Sequence, residues 1–218
     1  IRGDVTSVAP SVSGYVTAVE VEDNQPVQAG DILFRIDDRD YRAKLAQAEA
    51  NVVAARARLV NVDAETQLQH SLIRQAEAQQ RSTAAELDLA TRVSDSSRQL
   101  IRSSTVSQAQ VDESDAARSR AESGLSAASA TVEAQNQRIA VFGAQREAAV
   151  AAVAQAEAAR DLAQIDLDST VVRASVGGVV GNRQVRVGRL VVPGVALLDI
   201  VPIDDLWVVA NFKETQIK

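Results

Sequence analysis

Residues Val8–Ile36 read VAPSVSGYVTAVEVEDNQPVQAGDILFRI, and Val172–Ile200 read VRASVGGVVGNRQVRVGRLVVPGVALLDI. Laid on one another without gaps, Val8 on Val172, they agree at Ser11/Ser175, Val12/Val176, Gly14/Gly178, Val16/Val180, Val21/Val185, Val27/Val191, Gly30/Gly194, Leu33/Leu197 and Ile36/Ile200. Val19 against Arg183 is a mismatch. Alternating, β-branched YVTAVEVE and the run ILFRI read as short strands. Between them DNQPVQAGD, with Pro26 and Gly30, is turn chemistry. Glycine tolerates positive φ, so the shared Gly14/Gly178 and Gly30/Gly194 predict turns at the same two places in each copy. A stretch of about 30 residues is too short for a core of its own. Two halves facing each other, residues 5–37 and 170–203, are therefore expected to form one β-sandwich, with Gly14 and Gly178 in equivalent turns.

The intervening residues 38–169 have a different texture. Steps of four and three from Tyr41 pass through Leu45, Ala48, Val52, Ala55, Leu59, Val62, Thr66, Gln69, Ile73, Ala76, Gln80, Thr83, Leu87 and Ala90. That is a heptad seam with polar interruptions. Asp37, Asp38 and Asp40 suit a helix N-terminus. The pattern fades in SDSSRQLIRSSTVSQAQ, where Ser and Thr compete for backbone hydrogen bonds and favour a turn or caps. Ser107 fits an N-cap.

A second, noisier seam runs through Val111, Leu125, Val132, Ile139, Val153 and Leu167, with Arg118, Arg146 and Arg160 also falling on it. Gly124 and Gly143 weaken that helix locally and are candidate bends. No Pro occurs between Asp40 and Ser169. Two helices of about 60 residues, each spanning roughly 90 Å, predict one antiparallel hairpin with its tip at about 97–107; several shorter helices in a bundle are the alternative. The fold class is thus α+β: a long coiled-coil hairpin inserted between the halves of a sandwich.

Composition agrees. The 218 residues are rich in Ala, with aromatics at 3%. Ala-rich helices bury little area per residue and usually need partners. A net charge of −6 and the lack of any Lys/Arg run argue against nucleic acid. With no Cys and a single His, His70, there is no disulfide, thiolate nucleophile, triad or His cluster for a metal. His70 lies off the seam and reads as a solvated helix residue. Asp37/Asp38 and Asp204/Asp205 read as turn or cap residues rather than paired catalytic acids. Trp207, alternating with its neighbours in LWVVANFKETQIK, reads as strand packing. No run of 18 apolar residues is present. The absence of Met and the strand-like ends suggest a piece of a longer chain, with any membrane anchor outside it.

The first copy carries Ala9-Pro10, Ser13-Gly14, Val16, Val27, Gly30-Asp31 and Leu33, and so resembles a half-motif of the biotinyl/lipoyl domain. In that family a lysine on the hairpin joining the halves receives the cofactor. Here the helical insertion replaces that hairpin and the nearest lysine, Lys44, belongs to a helix, so no cofactor is expected. A lipoyl-like domain split by a long α-hairpin resembles the periplasmic adaptor, or membrane fusion protein, family of the HlyD/EmrA type. The tail from residue 204 is similar to the first strand of that family's β-barrel domain, in the form seen with major-facilitator drug exporters.

The resemblance implies a non-enzymatic adaptor in the periplasm, held to the inner membrane by an N-terminal helix. Its partners would be an inner-membrane transporter of major-facilitator type, an outer-membrane channel of TolC type, and copies of itself in a ring, as a hexamer. Family tips often show an Arg, a Leu four residues on and a Ser seven further. Leu100 and Ser107 fit, but Ser96 stands at the Arg position, with Arg92, Arg98 and Arg102 near. Arg98, Leu100, Arg102 and Ser107 are the implied channel-facing residues, and which arginine makes contact is open. Protein secretion instead of drug efflux, a biotin- or lipoate-carrier subunit, and a coiled-coil scaffold without a transport role are the competing readings.

Overall fold

The computed structural model describes residues 2–3, 5–101, 106–202 and 206–207. The chain forms two compact units, one of residues 1–52 with 155–218, the other of residues 53–154.

The first unit holds the strands. In chain order they are β1 (Arg2–Gly3), β2 (Thr6–Val8), β3 (Gly14–Val19), β4 (Pro26–Val27), β5 (Ile32–Ile36), then, after the helices α1 (Arg39–Ile101) and α2 (Gln108–Asp168), β6 (Val171–Arg173), β7 (Gly178–Gly181), β8 (Leu190–Val191), β9 (Leu198–Val201) and β10 (Leu206–Trp207). Two four-stranded antiparallel sheets have the orders β2-β9-β7-β4 and β6-β5-β3-β8, and β1 pairs with β10.

The repeat explains both orders. Strands β2, β3, β4 and β5 correspond to β6, β7, β8 and β9, and exchanging these labels turns one sheet into the other. Register follows the same exchange: Pro26 faces Val179 and Val27 faces Gly178, as Leu190 faces Tyr15 and Val191 faces Gly14. So do bonds outside the ladders. Asn24 N–H donates to Val180 O at 2.9 Å, as Gly188 N–H does to Val16 O at 2.8 Å. The two halves are therefore related by a pseudo-two-fold. They do not face each other as separate sheets, as the sequence suggested. The two central strands of each sheet come from one half and its edge strands from the other, so neither half completes a sheet alone.

The core is paired in the same way. Val16/Val180, Val21/Val185, Val27/Val191, Leu33/Leu197, Phe34/Leu198 and Ile36/Ile200 are all buried. Aliphatic side chains of this size contribute about 1.5–3 kcal/mol each when fully buried, which makes this cluster the main support of a small domain.

The shared glycines serve two purposes. Gly30 and Gly194 have φ of 96° and 79° and sit in equivalent turns, as do Asn24 and Gly188 at 65° and 83°. Gly14 and Gly178 are not turn residues but the first residues of β3 and β7, where close packing requires them. A Cβ at Gly14 would lie 2.5 Å from Ile36 Cγ2, and one at Gly178 would lie 2.8 Å from the equivalent Ile200 Cγ2 and 2.5 Å from Val201 O.

Helix α1 starts where its acids place it. Asp38 O accepts from Arg42 N–H at 2.8 Å, and the Asp37 carboxylate accepts from the Arg39 N–H at 3.2 Å and from its guanidinium at 2.6 Å. These bonds, the side-chain one foremost, draw the Asp37 carboxyl down to about 2. Tyr41 Oη donates to Ser13 O at 2.7 Å, tying the first turn to the sandwich. At the other end Thr170, 1% exposed, accepts at its carbonyl from Ile36 N–H at 2.8 Å. The chain thus leaves β5 and returns to its antiparallel neighbour β6. By the pseudo-two-fold, β9 and β2 are the equivalent strand pair, and they lead to β10 and from β1.

In the second unit the helices run antiparallel. Every seam position from Tyr41 to Ala90 is buried or half-buried, and the seam continues through Ser94, Ser97 and Ile101. The serines therefore do not stop α1. Helix α2 likewise runs unbroken through Gly124 and Gly143. Among the described residues 53–154 the buried apolar side chains are Ala55, Ile73 and Val111 only. Polar rungs do the rest. Gln69 Nε2 donates to Gln135 O and Oε1 at 2.8 and 2.9 Å, Gln80 Nε2 donates to Ser129 Oγ at 3.0 Å, and Arg146 Nε donates to Asp63 Oδ1 at 2.9 Å. Of these only Gln69 is buried, and a buried polar residue on the seam holds register at some cost in stability; the Arg146–Asp63 pair is exposed.

Candidate functional site: the distal end of the helical hairpin

The distal seam is closed by hydroxyls and one carboxylate. Ser94 is fully buried, and its Oγ donates to Asp115 Oδ1 at 2.6 Å. Arg98, one turn further along α1, donates to Asp115 Oδ2 from Nη2 at 2.9 Å and from Nε at 3.3 Å. The Arg98 guanidinium, then the Ser94 hydroxyl, hold the Asp115 carboxyl below the usual carboxylate range, and Asp115 in turn pushes the Arg98 pKa up. The Arg98 and Asp115 side chains are 53% and 33% exposed, so the bridge is a surface pair whose main effect is on geometry. Beneath it Val111 is buried, and Ser114 Oγ donates to Val111 O at 2.8 Å.

Ser107 stands just before α2. Its carbonyl accepts from Gln110 and Val111 N–H at 3.1 and 3.3 Å, and its Oγ accepts from Gln110 N–H at 3.4 Å. It is an N-cap, with an exposed side chain. Leu100 is 42% exposed. Leu89 and Val93, 62% and 49% exposed, lie eleven and seven residues before Leu100 on the same helical face. Ser96 is exposed, and Arg92 is held by Asp88. Arg102 lies outside the described residues, as do Asp204 and Asp205.

Of the four implied tip residues, the structure places Arg98 in an intramolecular clamp, Ser107 in a cap and Leu100 on the surface. Asp115 and Ser94 were missed by sequence reasoning. Ser94 was within reach, since it falls four residues after Ala90 on the seam. Asp115 carries no such signal, because only pairing across the two helices brings it to Arg98. Elsewhere, His70 is exposed on α1, and Lys44 Nζ sits 5.0 Å from the centre of the Tyr41 ring on the first turns of the same helix. No lysine occupies a tight β5–β6 turn, because the helices form that connection. Among the described residues no helix is long and apolar enough to cross a membrane.

Residues 4–202 match the family model for the barrel-sandwich hybrid domain of RND membrane fusion proteins. This chain belongs to the membrane fusion protein family. It is 32% identical over 215 residues to the multidrug resistance protein MdtN of Escherichia coli K12, covering 99% of this chain and 62% of that protein. It is 33% identical over 221 residues to the colistin resistance protein EmrA of Acinetobacter baumannii, covering 100% of this chain and again 62% of the relative. The chain therefore spans less than two thirds of these relatives. Its fold is that of the solved periplasmic adaptor protein EmrA, with a TM-score of 0.58 over 92% of this chain and 72% of the other at 14% identity.

Proposed function

We propose that this membrane fusion protein is the adaptor of a tripartite efflux pump for drugs or other small toxic compounds. In this reading it stands in the periplasm, anchored to the inner membrane through an N-terminal helix. There it joins a transporter of major-facilitator type to an outer-membrane channel of TolC type, with six copies forming a ring. Residues 5–37 and 170–203 act as the lipoyl-like domain, 38–169 as the hairpin and 204–218 as the start of the β-barrel domain. The work is conduit formation and coupling, not catalysis.

The observation that carries the reading is the pairing of a strand-exchanged sandwich with two helices of 63 and 61 residues. At 1.5 Å per residue each is about 90 Å long, a reach suited to spanning much of a periplasm. Leu89, Val93 and Leu100 are exposed on one face of α1, the arrangement that helix-in-groove docking onto a coiled-coil channel would use. The family relationship supports the same role, since relatives of this chain are named for multidrug and colistin resistance.

A gene deletion complemented with the unsubstituted protein or with Leu100→Asp tests this. Drug tolerance should fall on deletion, return with the unsubstituted protein and stay low with Leu100→Asp despite normal protein levels. Unchanged drug susceptibility of the deletion strain across substrate classes would sink the proposal.

A further inference from the structure

The distal end of α1 carries two sets of side chains, and helical geometry separates them. Leu89, Val93 and Leu100 share one exposed face, and the exposed Ser96 lies four residues before Leu100 on that face. At 3.6 residues per turn, Arg98 stands roughly 140–180° around the axis from all three apolar residues. It shares instead the side of Ser94, one turn before it, which is fully buried.

On that side Asp115 of α2 is the common acceptor, and both of its carboxylate oxygens are taken by donors from α1. Ser94 Oγ donates to Oδ1 at 2.6 Å, and Arg98 Nη2 and Nε donate to Oδ2 at 2.9 and 3.3 Å. One residue of α2 is thereby gripped from two successive turns of α1. A single hydrogen bond leaves α2 free to pivot about it, whereas two donors about 5.4 Å apart along the axis fix register and rotation together. Little else does so here, since Val111 is the one buried apolar side chain beyond Ile73 among the described residues of α1 and the start of α2. Arg92, by contrast, bonds Asp88 on its own helix and ties nothing across the hairpin.

A guanidinium directed at α2 is turned away from a partner seated on the Leu89–Val93–Leu100 face. We propose that Arg98 is a positioning residue that acts inside the hairpin and not a contact with the channel: with Ser94 and Asp115 it fixes α2 against α1 and so presents that face. Leu89, Val93, Ser96 and Leu100 then offer an apolar, hydroxyl-bearing surface without charge, which fits an uncharged helical groove. The inference rests on the adaptor reading and adds how the tip is held and which side of it is read.

The full-length protein supplies two readouts. In cells, a benzophenone amino acid at position 96 reports channel contact as a covalent adduct. In the purified protein, spin labels on Ser96→Cys and Glu113→Cys, exposed positions on the two helices, report the distance across the tip. Ser94→Ala removes half of the clamp without altering a charge or any exposed surface. It and Arg98→Gln should each broaden the distance distribution and lower both adduct and drug tolerance several-fold. The unfolding midpoint of Arg98→Gln should stay put, because an exposed pair adds little stability. Arg98→Glu with Asp115→Arg should restore distance, adduct and tolerance. Adduct loss in Arg98→Gln at an unchanged distance overturns the proposal and makes Arg98 a channel contact. A charge swap that restores the distance but not the adduct does the same, as does an undiminished adduct when the distance has broadened. No adduct and no drug tolerance with the unsubstituted protein would instead sink the adaptor reading, and the distances alone would still decide whether Arg98 holds the tip.

Discussion

Gly177 and Gly178 are neighbours with opposite expectations for the same substitution. At Gly178→Ala the new methyl would meet Val201 O at 2.5 Å, Val201 C at 2.8 Å and Ile200 Cγ2 at 2.8 Å. Two of these atoms are backbone in the β7–β9 ladder, where Val180 faces Ile200 and Val179 faces Val201, and they cannot rotate aside. Overpacking costs about 1–3 kcal/mol, and a rigid neighbour puts this site at the upper end, about 3 kcal/mol. For a chain of this size each kcal/mol moves Tm by about 2–4 °C, so the sandwich transition should fall by roughly 6–12 °C. At Gly177→Ala the nearest atom is Val27 O at 3.6 Å, ordinary contact, and φ is not left-handed. Reduced freedom of the unfolded chain should then leave stability unchanged or raised by about 0.5 kcal/mol. Thermal and urea unfolding, with hydrogen exchange at the β7 and β9 amides as the local probe, separates the two variants. Equal stabilities for Gly177→Ala and Gly178→Ala would refute the close-approach account of the repeat.

Other expectations concern the helices. Replacing both Gln69 and Gln135 by Leu should raise the melting temperature while broadening spin-label distances between the helices, because the amide pair that sets register is gone. Ser107→Ala should cost about 1 kcal/mol, visible as faster exchange at the Gln110 amide. The lowered Asp115 pKa means that its bonds to Arg98 and Ser94 stabilise the folded state above the unfolded carboxylate value of about 3.9. That support is lost as pH falls through the lower folded value. Exchange at the amides around Ser94 and Asp115 should therefore accelerate only below about pH 4, and Asp115→Asn should remove this dependence. Asp37 behaves alike: its support is complete above the unfolded carboxylate value of about 3.9 and is lost as pH falls through the folded value of about 2, which exchange at the Arg39 amide should follow.

Local periodicity made the elements legible. Steps of four and three from Tyr41 named a face that is buried or half-buried at every position, because helical geometry alone decides which residues share a side. The gapless match of Val8–Ile36 to Val172–Ile200 likewise revealed two equivalent β-units, since each copy must meet the same packing demands at Gly30/Gly194 and Ile36/Ile200. Sequence patterns also carried the family, the motif being specific enough to survive a long insertion.

What tertiary structure alone decided is how distant segments meet. The halves exchange edge strands rather than stacking, because each unit of about 30 residues leaves sheet edges that only the other half can cover. Gly14 and Gly178 are needed for closeness to Ile36 and Ile200 rather than for turning, a contact invisible until β3 lies beside β5 and β7 beside β9. Ser94 reads as a helix-weakening serine in one dimension. It becomes the buried partner of Asp115 once α2 is laid against α1. In each case the deciding quantity is a distance between residues far apart in the chain, which composition, propensity and spacing do not encode residue by residue.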